Sequence, residues 1–125
     1  MNPHRIKKVT VAGVTYEAIR LTGYGPIDKE IIELVEEKTG RRPINLENTE
    51  DLTIGLAYSI ETYTPYLICS SDSGPLVAKK LKAGRWVVYS SLGTIDLMKN
   101  KDYDLLRYDE SKEKHAQLMQ EQATE

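Results

Sequence analysis

The chain has 125 residues, 40% of them apolar and 29% charged, with a formal net charge of −2. That length fits one domain with a modest core, and the composition is that of a soluble globular protein. The near-zero net charge gives no global pull toward nucleic acid, and no apolar run approaches the roughly 20 residues needed to span a bilayer.

Val9-Thr10-Val11 and Val14-Thr15-Tyr16-Glu17-Ala18-Ile19 alternate apolar and polar residues on either side of Ala12-Gly13. This pattern predicts a β-hairpin. Thr22-Gly23-Tyr24-Gly25 breaks the second strand. Pro26 then opens a helix expected to reach about Lys38, because Ile27, Ile31, Leu34 and Val35 form one apolar stripe. Gly40 caps its end and Pro43 discourages continuation. Residues 41–51 read as a loop. Thr53 to Ile60 alternates, with Ile54, Leu56, Tyr58 and Ile60 on one face, and predicts a strand. Tyr66 to Ser70 predicts a more buried strand, and Ser71-Asp72-Ser73-Gly74 a turn. Pro75 to Lys80 reads as a short strand or edge. Arg85 to Tyr89 is a strong strand, with Thr94 to Met98 its partner across a turn near Ser91-Leu92-Gly93. Tyr103 to Tyr108 fits either a final strand or a short helix. From Asp109 onward the chain is an acidic tail with almost no core residues, either a loosely attached helix beginning near Ser111 or a mobile segment. One domain over 1–108, with 109–125 as its tail, is the expected organisation.

The segments Glu17-Ala18-Ile19 with Thr22-Gly23, Gly84 with Trp86-Val87-Val88, Gly93, and the aromatic pair Tyr103 and Tyr108 resemble motifs of a family of small tailed-phage accessory proteins. In that family the first strand reads roughly Glu-Ala-Ile-Gln-Trp-Thr-Gly and a later one Pro-Gly-Asp-Trp-Ile-Val. Here Arg20 and Leu21 stand in place of Gln and Trp, and Arg85 in place of Asp. The resemblance covers both ends of the domain and leaves a longer middle segment, 41–80. It implies a phage or prophage origin, a small α+β fold and an accessory role. It carries no common activity with it. Residence in the host cytoplasm is expected on separate grounds, because the basic start, Met1 to Lys8, leads into alternating strand-like sequence and not into an apolar signal core.

Few residues point to catalysis. Cys69, the single cysteine, lies in an apolar stretch and reads as a small core residue. His4 and His115 sit near opposite ends of the chain, so neither a metal set nor a base for Cys69 or the 70–73 serines is evident. No phosphate-binding loop or dinucleotide fingerprint occurs. No enzyme activity and no cofactor are therefore expected. Binding chemistry is better represented. Tyr24 and Gly25, at the expected start of a helix, can present backbone N–H groups to an anion. Arg41 and Arg42 can fork onto phosphate, or simply complement the end of the preceding helix. Arg85 belongs to a basic stretch with Lys79, Lys80 and Lys82, which suits an anionic partner or a lysine-protected edge strand. The chain holds eight tyrosines, one tryptophan and no phenylalanine. Trp86 reads as core, and Tyr24, Tyr63, Tyr66 and Tyr89 as candidate exposed aromatics.

The expected fold is α+β, a strongly bent antiparallel sheet of about five to seven strands with one main helix packed on it. The first functional expectation is a phage-encoded binder that counters host defence by sequestering a small anionic ligand of nucleotide type. Tyr24, Gly25, Arg41, Arg42, Arg85 and Tyr89 are its candidate ligand-binding residues, and self-association is one way for so small a domain to complete the pocket. The alternatives are an inhibitor that binds a host defence protein, and a virion or assembly factor.

Overall fold

The computed structural model describes residues 5–22, 29–47, 53–59, 64–70 and 74–123, with side chains as far as 120. The fold is α+β. Eight strands and two helices follow in the order β1 (Lys7–Val11), β2 (Val14–Arg20), α1 (Lys29–Thr39), β3 (Ile44–Asn45), β4 (Gly55–Tyr58), β5 (Pro65–Ser70), β6 (Leu76–Lys80), β7 (Trp86–Ser90), β8 (Ile95–Met98) and α2 (Asn100–Ala123). The strands divide into two four-stranded sheets, ordered β1-β2-β7-β8 and β3-β4-β5-β6, instead of one bent sheet.

The β1–β2 hairpin turns as the alternation requires. Val11 pairs with Val14, and both turn residues, Ala12 (φ 51°) and Gly13 (φ 81°), take the left-handed backbone of a two-residue hairpin loop. β2 then pairs antiparallel with β7, and β7 with β8. Successive side chains point to opposite faces, so this first sheet carries two apolar surfaces. One presents Val9, Ala18, Trp86 and Val88, which Tyr103 of α2 covers. The other presents Ile19, Val87 and Ile95, which join Ile31, Leu34 and Val35 of α1 and Leu56 and Leu67 of the second sheet in the larger core.

Three expectations change. Residues 41–51 contain β3, which pairs parallel to β4, a pairing that the Leu46 N–H extends to the Tyr58 carbonyl (2.8 Å). β4 is buried on both faces, and its Gly55 lies beside the last turn of α1. A Cβ there would sit 3.7 Å from the Thr39 hydroxyl, and Gly55 holds φ at +144°, which favours glycine. The segment 103–108 is neither a strand nor a short helix. It belongs to α2, which begins at Asn100 instead of near Ser111.

α2 docks by few but specific contacts. Tyr103, 2% exposed, stacks on Trp86 with ring centroids 3.8 Å apart. The Trp86 indole N–H donates to Asn100 Oδ1 (2.9 Å), which satisfies the polar end of a buried ring. Further along, Glu110 accepts the Thr10 N–H (2.6 Å) and Glu113 the Ala12 N–H (2.8 Å). These donors lie on the outer side of β1, so the helix carboxylates cap a sheet edge that would otherwise be open. Beyond Glu113 every described side chain of α2 is exposed, including Leu118 and Met119. No helix among the described residues is long and apolar enough to cross a membrane.

Candidate functional site

The arrangement begins with a cross-strand pair. Glu17 of β2 lies opposite Tyr89 of β7, on the face turned toward α1. The last turn of α1 brings Lys38 over both. Its ammonium pairs with the Glu17 carboxylate and sits 5.1 Å from the Tyr89 ring centroid, within cation–π range. Hydrogen bonding to Glu17 raises the Lys38 pKa above its ordinary value, against a smaller opposing effect of burial. Glu17 also lies 3.9 Å from Lys8.

The C-terminal end of α1 is closed by its own side chains. The Thr39 hydroxyl donates to the Val35 carbonyl (2.7 Å) and accepts the Arg41 N–H (3.3 Å), while the Gly40 N–H donates to the Glu36 carbonyl (2.8 Å). Gly40 takes a left-handed φ of 71°, the helix stop expected from the sequence. Arg41 leaves this cap exposed, and makes no ion pair with any described residue.

Lys38, Thr39, Arg41 and Tyr89 line one side of an open cleft of about 470 Å3 between the two sheets. Thr53 and Ile54 before β4, Leu76 of β6, and Gly93 and Ile95 around the β7–β8 turn complete it. The volume falls in the range of small-molecule sites, and the lining combines an apolar floor with a few polar groups at one edge.

Of the six candidate ligand residues, Arg41 and Tyr89 meet in this cleft. Arg42 turns to Glu36 (3.7 Å) and is not among the lining residues. Arg85, just before β7, precedes Tyr89 by four positions, about 13 Å of extended chain, and does not line the cleft. Tyr24 and Gly25 lie outside the described residues, as do Tyr63 and the 71–73 turn. The residues that sequence reasoning missed are Glu17, Lys38 and Thr39. Lys38 follows the apolar stripe as an ordinary terminal lysine, and nothing local shows that β2 and β7 will bring Glu17 and Tyr89 beneath it.

A second polar cluster joins the sheets. Asp96 of β8 accepts hydrogen bonds from Lys79 Nζ (2.7 Å) and Cys69 Sγ (3.6 Å). Cys69 is fully buried, and its thiol is pushed up to about 11, first by burial and then by the Asp96 charge. Such a thiol stays protonated at neutral pH and is a poor nucleophile. Lys79 is thus part of an inter-sheet ion pair, while Lys80 and Lys82 are exposed at and just beyond the end of β6. Among the described residues no group of three or more His, Cys, Asp or Glu is placed to hold a metal ion. No family model, no curated protein and no solved structure matches the chain.

Proposed function

We propose that this protein is a non-catalytic accessory binder that sequesters a small anionic ligand of nucleotide type in the cleft between its two sheets. The single observation that carries the reading is the meeting of Arg41 and Tyr89 in one cleft of suitable size. A guanidinium without an ion-pair partner among the described residues can fork onto a phosphate. Tyr89 and the neighbouring aliphatic side chains can bury a flat, weakly polar base. The motif resemblance supports a phage setting, and in that setting the ligand we propose is a nucleotide-type immune signal of the host.

The reading is tested by ligand capture. The pure protein is incubated with lysate from cells whose defence signalling is active, repurified and denatured, and the released small molecules are identified by mass spectrometry. A stoichiometric phosphorylated compound, lost in Arg41→Ala, is the expected result. An empty native protein rejects the reading. A second reading, docking onto a host protein, is favoured by exposed Tyr108, Leu118 and Met119 on α2. It predicts partner binding that Leu118→Ser/Met119→Ser abolishes and Arg41→Ala leaves unchanged.

A further inference from the structure

Resting on the cleft reading above, we infer that the ligand carries a single anionic group, one phosphate or one carboxylate, on an apolar or aromatic body, and that Glu17 sets this limit by neutralising the second cation of the site. Two cationic side chains line the cleft, Lys38 and Arg41. Lys38 is committed to Glu17, in a contact where both side chains are about four-fifths buried. Arg42 and Lys79 also face carboxylates, Glu36 and Asp96, in more exposed contacts. Glu37, exposed on α1, adds a negative field felt at Lys38. The C-terminal end of α1, which borders the cleft, also carries the negative pole of its dipole.

Arg41 is therefore the one uncompensated cation among the described lining residues. Its planar fork matches two oxygens of one phosphate or carboxylate. A di- or triphosphate needs further cations to offset its charge, and here the charges next to Arg41 are the Lys38–Glu17 pair, the exposed Glu37 beside it and a helix C-terminus. The rest of the lining suits the uncharged part of the ligand, with Ile54, Leu76, Ile95 and the Tyr89 ring available for burial.

Glu17 is thus a specificity-determining residue that touches the site through Lys38. Glu17→Gln keeps a hydrogen-bond acceptor for the ammonium but removes the charge, which gives the cleft a second effective cation.

Titration calorimetry with adenosine mono-, di- and triphosphate at physiological ionic strength tests the inference. The native protein is expected to bind the monophosphate at least as tightly as the other two. Glu17→Gln is expected to shift the ratio of affinities toward the diphosphate by about threefold, the scale of one partly screened ion pair. Arg41→Ala, at an exposed position that folding does not need, is expected to weaken every member by about tenfold or more. Tighter binding of the triphosphate by the native protein overturns the single-group inference and leaves the cleft reading standing. A preference unmoved in Glu17→Gln overturns the role of Glu17. Failure of all three nucleotides to bind overturns the inference and also counts against a nucleotide-type ligand.

Discussion

The two helices solve the same problem by opposite means. α1 has 11 residues and buries Ile31, Leu34 and Val35 between both sheets. α2 has 24 residues, about 36 Å of helix, yet Tyr103 is its one fully buried side chain among those described. α1 is held by an apolar stripe. α2 is held by an aromatic stack at one end and two carboxylates on backbone N–H groups further along. The comparison teaches that a helix can be fixed in place without amphipathic periodicity when a sheet edge offers donors for it to cap. The two modes also leave different surfaces. α1 ends beside the cleft and contributes Lys38 and Thr39 to it, whereas α2 runs past the β1–β2 turn with exposed apolar side chains.

Substitutions separate the two modes. Leu34→Ala removes a core side chain shared by α1 and the sheets and is expected to cost about 2–5 kcal/mol in chemical denaturation. Tyr103→Leu keeps an apolar residue under α2 but loses the stack on Trp86. A loss of about 1–2 kcal/mol is expected, with increased hydrogen exchange in α2 and not in α1. An equal increase in both helices would show that α2 is not an independently released element. Glu110→Gln/Glu113→Gln weakens charge-assisted bonds at an exposed edge. The expected cost is about 1 kcal/mol, with faster amide exchange confined to Thr10 and Ala12. Unchanged exchange at these two amides would show that the carboxylates do not cap the edge.

The last effect is confined to alkaline pH. The buried Cys69 thiol has a folded pKa near 11, above its ordinary value of 9.0. As pH rises from about 9 to about 11, the unfolded chain loses a proton that the folded chain keeps, so stability falls over that window. Tyr58 and Tyr103 add losses of the same sign from 10.0 upward and Lys38 from 10.5 upward, since their pKa values are also raised above these ordinary values. Melting temperature measured against pH should therefore fall less steeply between 9 and 11 for Cys69→Ala than for the native protein. Equal slopes would show that the thiol is not held protonated. On its alkaline side, Glu17–Lys38 pairing contributes fully at neutral pH and fades above 10.5, as Lys38 deprotonates.

Much of the secondary structure was legible. The Ala12-Gly13 hairpin, α1 with its stop at Gly40, and the strands β4 to β8 follow from alternation, a 3.6-residue stripe and glycine positions. Cys69 and Trp86 are core residues, as their apolar neighbours implied. The start of α2 was not legible, because Asn100 to Leu106 has mixed character and its helix is fixed by contacts with Trp86 and β1, which are distant in sequence. β3 was missed because two residues are too short for a periodicity. Of the candidate site, Arg41 and Tyr89 were legible as residue types able to bind phosphate and stack a ring. Their convergence was not, because it depends on β7 returning beside β2 while α1 crosses above.

By itself the sequence determined the α+β class, most element types, the hairpin turn, the helix stop and the burial of Trp86 and Cys69. These properties arise from local backbone preference and from the period of apolar residues, both of which act within a few positions. Only the tertiary structure decided the division into two sheets, the capping of β1 by Glu110 and Glu113, and the cleft in which Arg41, without an ion-pair partner among the described residues, stands beside Lys38 and Tyr89. Those features depend on strand register and on which charges become neighbours. Register is set by the packing of all the elements at once, and the charge balance at Lys38 exists only after Glu17, 21 positions earlier in the chain, has been brought beneath it.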